Sequence, residues 1–184
     1  MKGSRLRHLQ LTLFLCLFVL AFSPQQSYAE KRIALVIGNA DYQDAPLSNP
    51  VNDALDISAA LKKTGFEVEH HTNVNRKQMR EAIRSFGDKL RQADVGLFYF
   101  AGHGIQYDNK NFLIPVKSNI EAEDEILDES INASLVLRKM KSAGTKVNIV
   151  ILDACRNNPF KRSFRSSSRG LTRIEGPKGT LIAY

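Results

Sequence analysis

Two short apolar runs limit what this chain can fold into. Val95–Phe100 is apolar apart from Gly96, and Val147–Leu152 is interrupted only by Asn148. Runs of this length, rich in β-branched and aromatic residues, suit strands covered on both faces, as in a parallel sheet. Each closes on residues with chemistry: Ala101-Gly102-His103-Gly104 follows the first, and Asp153-Ala154-Cys155-Arg156-Asn157 follows the second. Ligands of an open parallel sheet bind beyond the carboxyl ends of its strands. The fold is therefore expected to bring His103 and Cys155 together across the 52 positions that separate them.

The remaining elements agree with that sheet. Arg32–Ile37 reads as a first strand leaving through Gly38-Asn39. Asn49 and Pro50 open a helix with an apolar face at Ala54, Ile57, Ala60 and Leu61, closed by Gly65. Phe66–Glu69 is a short second strand. Asn75 begins a helix with its stripe at Met79, Ile83, Phe86 and Leu90. Val95–Ala101 is the third strand, and Phe112–Val116 a small strand or hairpin arm stopped by Pro115. A third helix at Leu135, Val136 and Met140 closes at Gly144; Val147–Ala154 is the fourth strand, and Thr180–Tyr184 starts a fifth. Strands alternating with helices predict an α/β domain with right-handed crossovers and helices on both faces of a mostly parallel sheet.

The 184 residues suit one domain with a sizeable core. Lys2, Arg5 and Arg7, then the apolar Leu9–Phe22, then Ser27-Tyr28-Ala29 have the three-part layout of a secretory signal, residues 1–29, with Glu30 as the mature N-terminus. The apolar stretch is shorter than the roughly 20 residues of a comfortable membrane span, so an uncleaved anchor is the weaker alternative. An exported protein, periplasmic or extracellular, is expected, with no membrane attachment after cleavage.

Cleavage removes three positive charges and no negative ones, taking the net charge from +7 to +4. Seven basic residues against Glu175 alone are concentrated between Arg156 and Lys178. The basicity is local, which argues against a nucleic-acid partner. Cys16 lies in the leader, so the mature chain carries Cys155 alone, with no internal disulfide and no cysteine pair for a metal.

A histidine between glycines is often a turn residue, and a cysteine after a buried strand is often inert filler. Their joint placement at two strand ends favours chemistry: a thiolate attacks a carbonyl, an imidazole manages protons and backbone N–H groups stabilise the oxyanion. Gly102 and Gly104 permit close backbone approach there. The His-to-Cys spacing and the Asp153-Ala154-Cys155-Arg156-Asn157 run resemble the caspase-like cysteine peptidases (peptidase C14), and the resemblance is nearest to their bacterial metacaspase-like, or orthocaspase, branch. It covers Lys31 to the end, including Ile33–Asn39, Asn52-Asp53-Ala54 and Asn111–Pro115.

The resemblance implies a caspase-like three-layer sandwich and a cysteine endopeptidase working through a dyad without a third catalytic residue. Cys155 would be the nucleophile, His103 the general acid/base, and the N–H groups of Gly104 and Cys155 the oxyanion hole. Caspases that cut after Asp carry a glutamine and an arginine where this chain has Asp153 and Leu47. Metacaspase-like enzymes carry acids at Asp153 and Asp53, a pocket that would attract Arg or Lys; for Asp53 the plain alternative is a helix-dipole contact. The implied partner is a peptide or protein substrate with basic residues. The family's fold continues past the fifth strand, so the domain, residues 30–184, is expected to be truncated at its C-terminal end. A module without catalytic competence, its substrate groove incomplete, is the alternative function.

Some metacaspases bind calcium through scattered acids. Here the run Glu121, Glu123, Asp124, Glu125, Asp128 and Glu129 reads as a solvated face, so no metal site or cofactor is assigned. Lys161, Arg162, Arg165, Arg169 and Arg173 lie among serines and Gly170 in a stretch without apolar periodicity. An exposed, flexible loop is expected there, either a simple basic loop or a site of self-cleavage.

Overall fold

The structure, a computed structural model, describes residues 29–155 and 171–184, Cys155 by its backbone. Residues 1–28 of the proposed leader and Lys161, Arg162, Arg165 and Arg169 lie outside the described residues. No helix among the described residues is long and apolar enough to cross a membrane.

Five parallel strands form the main sheet. They are β1 (Arg32–Gly38), β2 (Phe66–Thr72), β3 (Val95–Tyr107), β6 (Val147–Cys155) and β7 (Thr180–Ala183), in the spatial order β2-β1-β3-β6-β7. Two shorter strands, β4 (Lys110–Leu113) and β5 (Ile131–Asn132), extend β3 by antiparallel pairing. The helices are α1 (Pro50–Lys63), α2 (Arg76–Leu90), the single turn α3 (Ile126–Glu129) after a 3-10 turn, and α4 (Ser134–Ala143).

Alternation along the strands builds the three layers. Ile33, Leu35 and Ile37 of β1, with Phe98 and Phe100 of β3, meet Met79, Ile83, Phe86 and Leu90 of α2 and Val136 and Met140 of α4. Ala34, Val36, Leu97, Tyr99 and Ala101 face the other way and pack with Ala54 of α1. Fully burying each large apolar side chain contributes about 1.5–3 kcal/mol, so both faces hold the sheet. Asn75 caps α2 reciprocally with Gln78, and Gly144 ends α4 in the left-handed conformation. Such an N-cap stabilises by about 1 kcal/mol. The expected α/β architecture with helices on both faces is the architecture observed.

The largest departure from expectation is the length of β3, which runs six residues past Ala101. Its first part pairs in parallel with β1 and β6, and Gly104–Tyr107 then turns back on β4 through Asp108 and Asn109, both at positive φ (47° and 54°). Two positive φ values are what a two-residue hairpin turn needs. His103 therefore sits within a strand, at the junction of the parallel and antiparallel pairings. A second small core of Tyr42, Ile105, Phe112, Ile114, Val116, Ile120 and Ile126 supports that junction.

Candidate active site

The parallel register sets His103 opposite Cys155, as it sets Gly102 opposite Ala154 and Ala101 opposite Asp153. Neighbouring strands lie about 4.8 Å apart, so the two residues with nucleophile and base chemistry occupy adjacent backbone positions.

Tyr42 determines how β3 passes this point. Its hydroxyl accepts the His103 backbone N–H (3.0 Å) and donates to the Ile114 carbonyl (2.9 Å), while Ile114 N–H donates to the His103 carbonyl (2.9 Å). The phenol thus replaces one of the two direct bonds of a His103/Ile114 pair. Its ring also packs on the imidazole, with centroids 4.4 Å apart and planes tilted by 54°. Gly102 is obligatory beneath it: a Cβ there would lie 2.6 Å from the Tyr42 hydroxyl, and φ is +156°.

Antiparallel pairs alternate between hydrogen-bonded and non-hydrogen-bonded. Since His103 bonds toward Ile114, the next pair, Gly104/Leu113, is a non-hydrogen-bonded one. The Gly104 N–H is directed away from β4, to the side of β3 on which β6 ends. A Cβ at Gly104 would come within 3.0 Å of the Ala154 Cβ and 3.1 Å of Leu171, so glycine allows this close approach.

The imidazole is buried (4% exposed). Its Nε2 lies 2.7 Å from the Ala45 carbonyl oxygen. A carbonyl oxygen only accepts, so Nε2 carries the hydrogen and Nδ1 presents a lone pair. Nδ1 is buried and has no hydrogen-bond partner among the described residues. Burial pushes the His103 pKa below its ordinary value, and the Ala45 carbonyl opposes this only in part. The ring is neutral at physiological pH, oriented by one nitrogen and basic at the other.

The loop that carries Ala45 is itself anchored. Asn39, fully buried at the end of β1, accepts the Val74 N–H (2.9 Å), donates to the Val74 and Ile114 carbonyls (3.3 and 3.4 Å), and gives its own N–H to Ala101 (2.9 Å). Asn73 accepts the N–H groups of Ala40 and Asp41 (2.8 and 3.1 Å). Leu47, in the same loop, packs against the small core.

The two expected pocket acids come to one face at the same end of the sheet. Gly38, Ala101 and Asp153 form a row across β1, β3 and β6. The start of α1 rests on that row, because a Cβ at Gly38 would lie 2.7 Å from the Ala54 Cβ. Asp53, half-buried, belongs to that first turn. Asp153 is exposed, and its Oδ2 accepts from the Tyr99 hydroxyl at 3.2 Å. Burial, then the charges of Asp153 and Asp53, push the Tyr99 phenol well above the usual tyrosine value.

The acidic run after β4 is used locally. The Glu125 carboxylate accepts the N–H groups of Glu121 and Ala122 (2.7 and 3.0 Å), which lowers its pKa.

Arg173 departs from expectation. Its side chain is exposed, but the backbone beside it is fixed, since Asn111 donates to the Thr172 carbonyl and accepts the Thr172 N–H, both at 2.7 Å. Leu171 and Ile174 pack on the main core, and Ile174 N–H reaches the Tyr184 hydroxyl (2.8 Å). The expected flexible loop does not extend to Arg173, because apolar neighbours and a buried asparagine hold that stretch.

Sequence reasoning did not single out Ala45, Tyr42, Asn39 or Tyr99. A backbone carbonyl leaves no side-chain signature, and Tyr99 is hidden in an apolar strand run.

Comparison with known proteins agrees with this architecture. A family model described as a caspase domain, Peptidase C14, matches residues 31–183. The chain is 30% identical over 132 residues to human mucosa-associated lymphoid tissue lymphoma translocation protein 1, covering 71% of this chain and 16% of that protein. It is 23% identical over 147 residues to caspase a of Danio rerio, covering 74% of this chain and 36% of the relative. It therefore spans well under half the length of these curated relatives. Among solved structures, the Drosophila initiator caspase Dronc aligns over 82% of this chain and 53% of its own, with a TM-score of 0.56 at 12% identity. That likeness is one of fold. On the match across residues 31–183, the chain belongs to the caspase domain family, Peptidase C14.

Proposed function

We propose that the chain is a cysteine endopeptidase that cuts peptide bonds after Arg or Lys. The observation that carries this reading is the register of His103 with Cys155, with an imidazole Nδ1 that has no hydrogen-bond partner among the described residues. In the proposed reaction, Nδ1 takes the proton of the Cys155 thiol, and the sulfur attacks the scissile carbonyl carbon. The oxyanion is held by the N–H groups of Gly104 and Cys155, where removing one such donor typically costs about 10²–10³ in rate. The imidazolium then protonates the departing amine, the C–N bond breaks, and water hydrolyses the thioester with His103 again as base. The Ala45 carbonyl holds the ring in the working tautomer throughout, so the dyad is supported by a backbone group.

Basic specificity is the finer part of the proposal. Asp153 and Asp53 lie at one end of one sheet face, beside the Tyr99 hydroxyl, and offer two carboxylates to a cation. Acids at these positions also favour the metacaspase-like branch. Residues 30–184 are proposed as the catalytic domain, exported by the leader before it; N-terminal sequencing of secreted protein should then begin at Glu30.

The test is hydrolysis of matched peptides with Arg, Lys, Gln or Asp before the scissile bond. Wild type should cut the first two, and Cys155→Ala and His103→Ala should cut none. Peptides left whole by wild type would favour the non-catalytic module.

A further inference from the structure

We propose that Tyr99 is a specificity-determining residue, its hydroxyl fixing the Asp153 carboxylate in the orientation that receives a basic side chain. The inference rests on the reading of Asp153 and Asp53 as the substrate pocket, and it identifies the group that orients the acid.

Tyr99 is 3% exposed and lies in the cluster beneath α1 with Ala54 and Ala101. A buried phenol needs a partner for its hydroxyl, and this one reaches 3.2 Å to Asp153 Oδ2, across 54 positions of sequence. The ring is buried among packed side chains, whereas Asp153 stands exposed near the end of its strand. Without a partner, a carboxylate in that position would sample several rotamers. An ionised carboxylate only accepts, so Tyr99 is the donor. It uses one lone pair of Oδ2 and leaves Oδ1 and the other lone pair of Oδ2 for a ligand. Burial and the two nearby carboxylates keep the phenol protonated, so it remains a donor across the ordinary pH range.

Orientation matters unequally to the two basic side chains. Guanidinium presents a planar fork of donors that matches a fixed carboxylate, while the ammonium of lysine is a compact charge on a flexible stem. Tyr99 should therefore favour arginine more than lysine.

Binding to full-length Cys155→Ala protein, followed by calorimetry, tests this without catalysis. Three peptides that differ only in Arg, Lys or citrulline at the recognised position serve as probes. Tyr99→Phe in that background should lower the arginine-over-citrulline affinity ratio about fivefold, the worth of one hydrogen bond. The lysine ratio should fall less, and citrulline affinity should not change. An arginine preference left intact in Tyr99→Phe overturns the role of Tyr99 and leaves the acidic pocket standing. Equal binding of arginine and citrulline peptides before Tyr99 is altered overturns the pocket and the inference together. Should Tyr99→Phe fail to fold, Asp153→Glu carries the same test. It keeps the charge but moves the carboxylate one methylene away from the hydroxyl, and an undiminished arginine ratio there would equally overturn the proposal.

Discussion

Tyr42 stands between His103 and its strand partner: its hydroxyl takes the His103 N–H at 3.0 Å and returns a hydrogen to the Ile114 carbonyl at 2.9 Å. The phenol joins the loop after β1 to the strand that presents the imidazole. Tyr42→Phe leaves a buried N–H and C=O to find each other or remain unpaired, at a cost of about 1–3 kcal/mol. Thermal unfolding should show that loss. If Tyr42 positions His103, kcat should also fall about tenfold with KM unchanged, the mark of an interaction used in the transition state. A stability loss with unaltered kcat would limit Tyr42 to a structural role.

Gly102→Ala makes a sharper prediction from the same contact. The added Cβ would lie 2.6 Å from the Tyr42 hydroxyl, so the phenol or the strand must shift. Destabilisation should exceed that of Tyr42→Phe, and combining the two changes should recover part of it. Denaturant midpoints of the three variants test this; simple additivity would contradict the contact.

The pH dependence of stability follows from His103. Burial lowers its folded-state pKa below the ordinary 6.5, so the unfolded chain takes up a proton at a pH where the folded chain does not. Stability is then fully present above 6.5 and is lost as pH falls from there toward the folded-state value. His70 is displaced in the same direction, chiefly by burial and then by the charges of His71 and Lys62, and it adds to the slope. Urea unfolding between pH 7.5 and 5 should show a shallower slope in His103→Asn than in wild type. Equal slopes would contradict the burial argument.

Asp153→Ala should reduce kcat/KM on Arg and Lys peptides at least ~10-fold, the worth of roughly 1.4 kcal/mol of charge-assisted contact. Neutral peptides should be affected far less. An equal loss on both would assign Asp153 to supporting the strand end that carries Cys155.

Self-cleavage, if it occurs, should fall after Lys161, Arg162, Arg165 or Arg169 and not after Arg173, where Asn111 holds the Thr172 backbone. Mapping new N-termini in wild type beside Cys155→Ala tests this. Nicking that is identical in both proteins would exclude autoprocessing.

What could be read in advance, and what could not, divides along physical lines. Val95–Phe100 and Val147–Leu152 announce buried strands because burial on both faces demands continuous apolar residues, and Asn75 and Gly144 announce helix ends through local capping chemistry. The continuation of β3 through Gly102, His103 and Gly104 was illegible, because glycines usually mark an exit and the pairing that stabilises this stretch comes from β4 and Tyr42. The site divides in the same way. Cys155 and His103 carry their chemistry in their side chains, whereas Ala45 acts through its carbonyl and Tyr99 through a partner far along the chain. Arg173 reads from the sequence as part of an exposed loop because the restraint on its neighbour Thr172 comes from Asn111, far earlier in the chain.

The most direct test of the central claim is covalent capture of the thiol. A peptidyl chloromethyl ketone ending in arginine is incubated with full-length protein, and the modified residue is located by mass spectrometry. Labelling of Cys155 should be stoichiometric, abolished in Cys155→Ala, strongly slowed in His103→Ala, and slower for the matching glutamine reagent. Failure to label wild type, or labelling at an unchanged rate without His103, would contradict the proposed dyad.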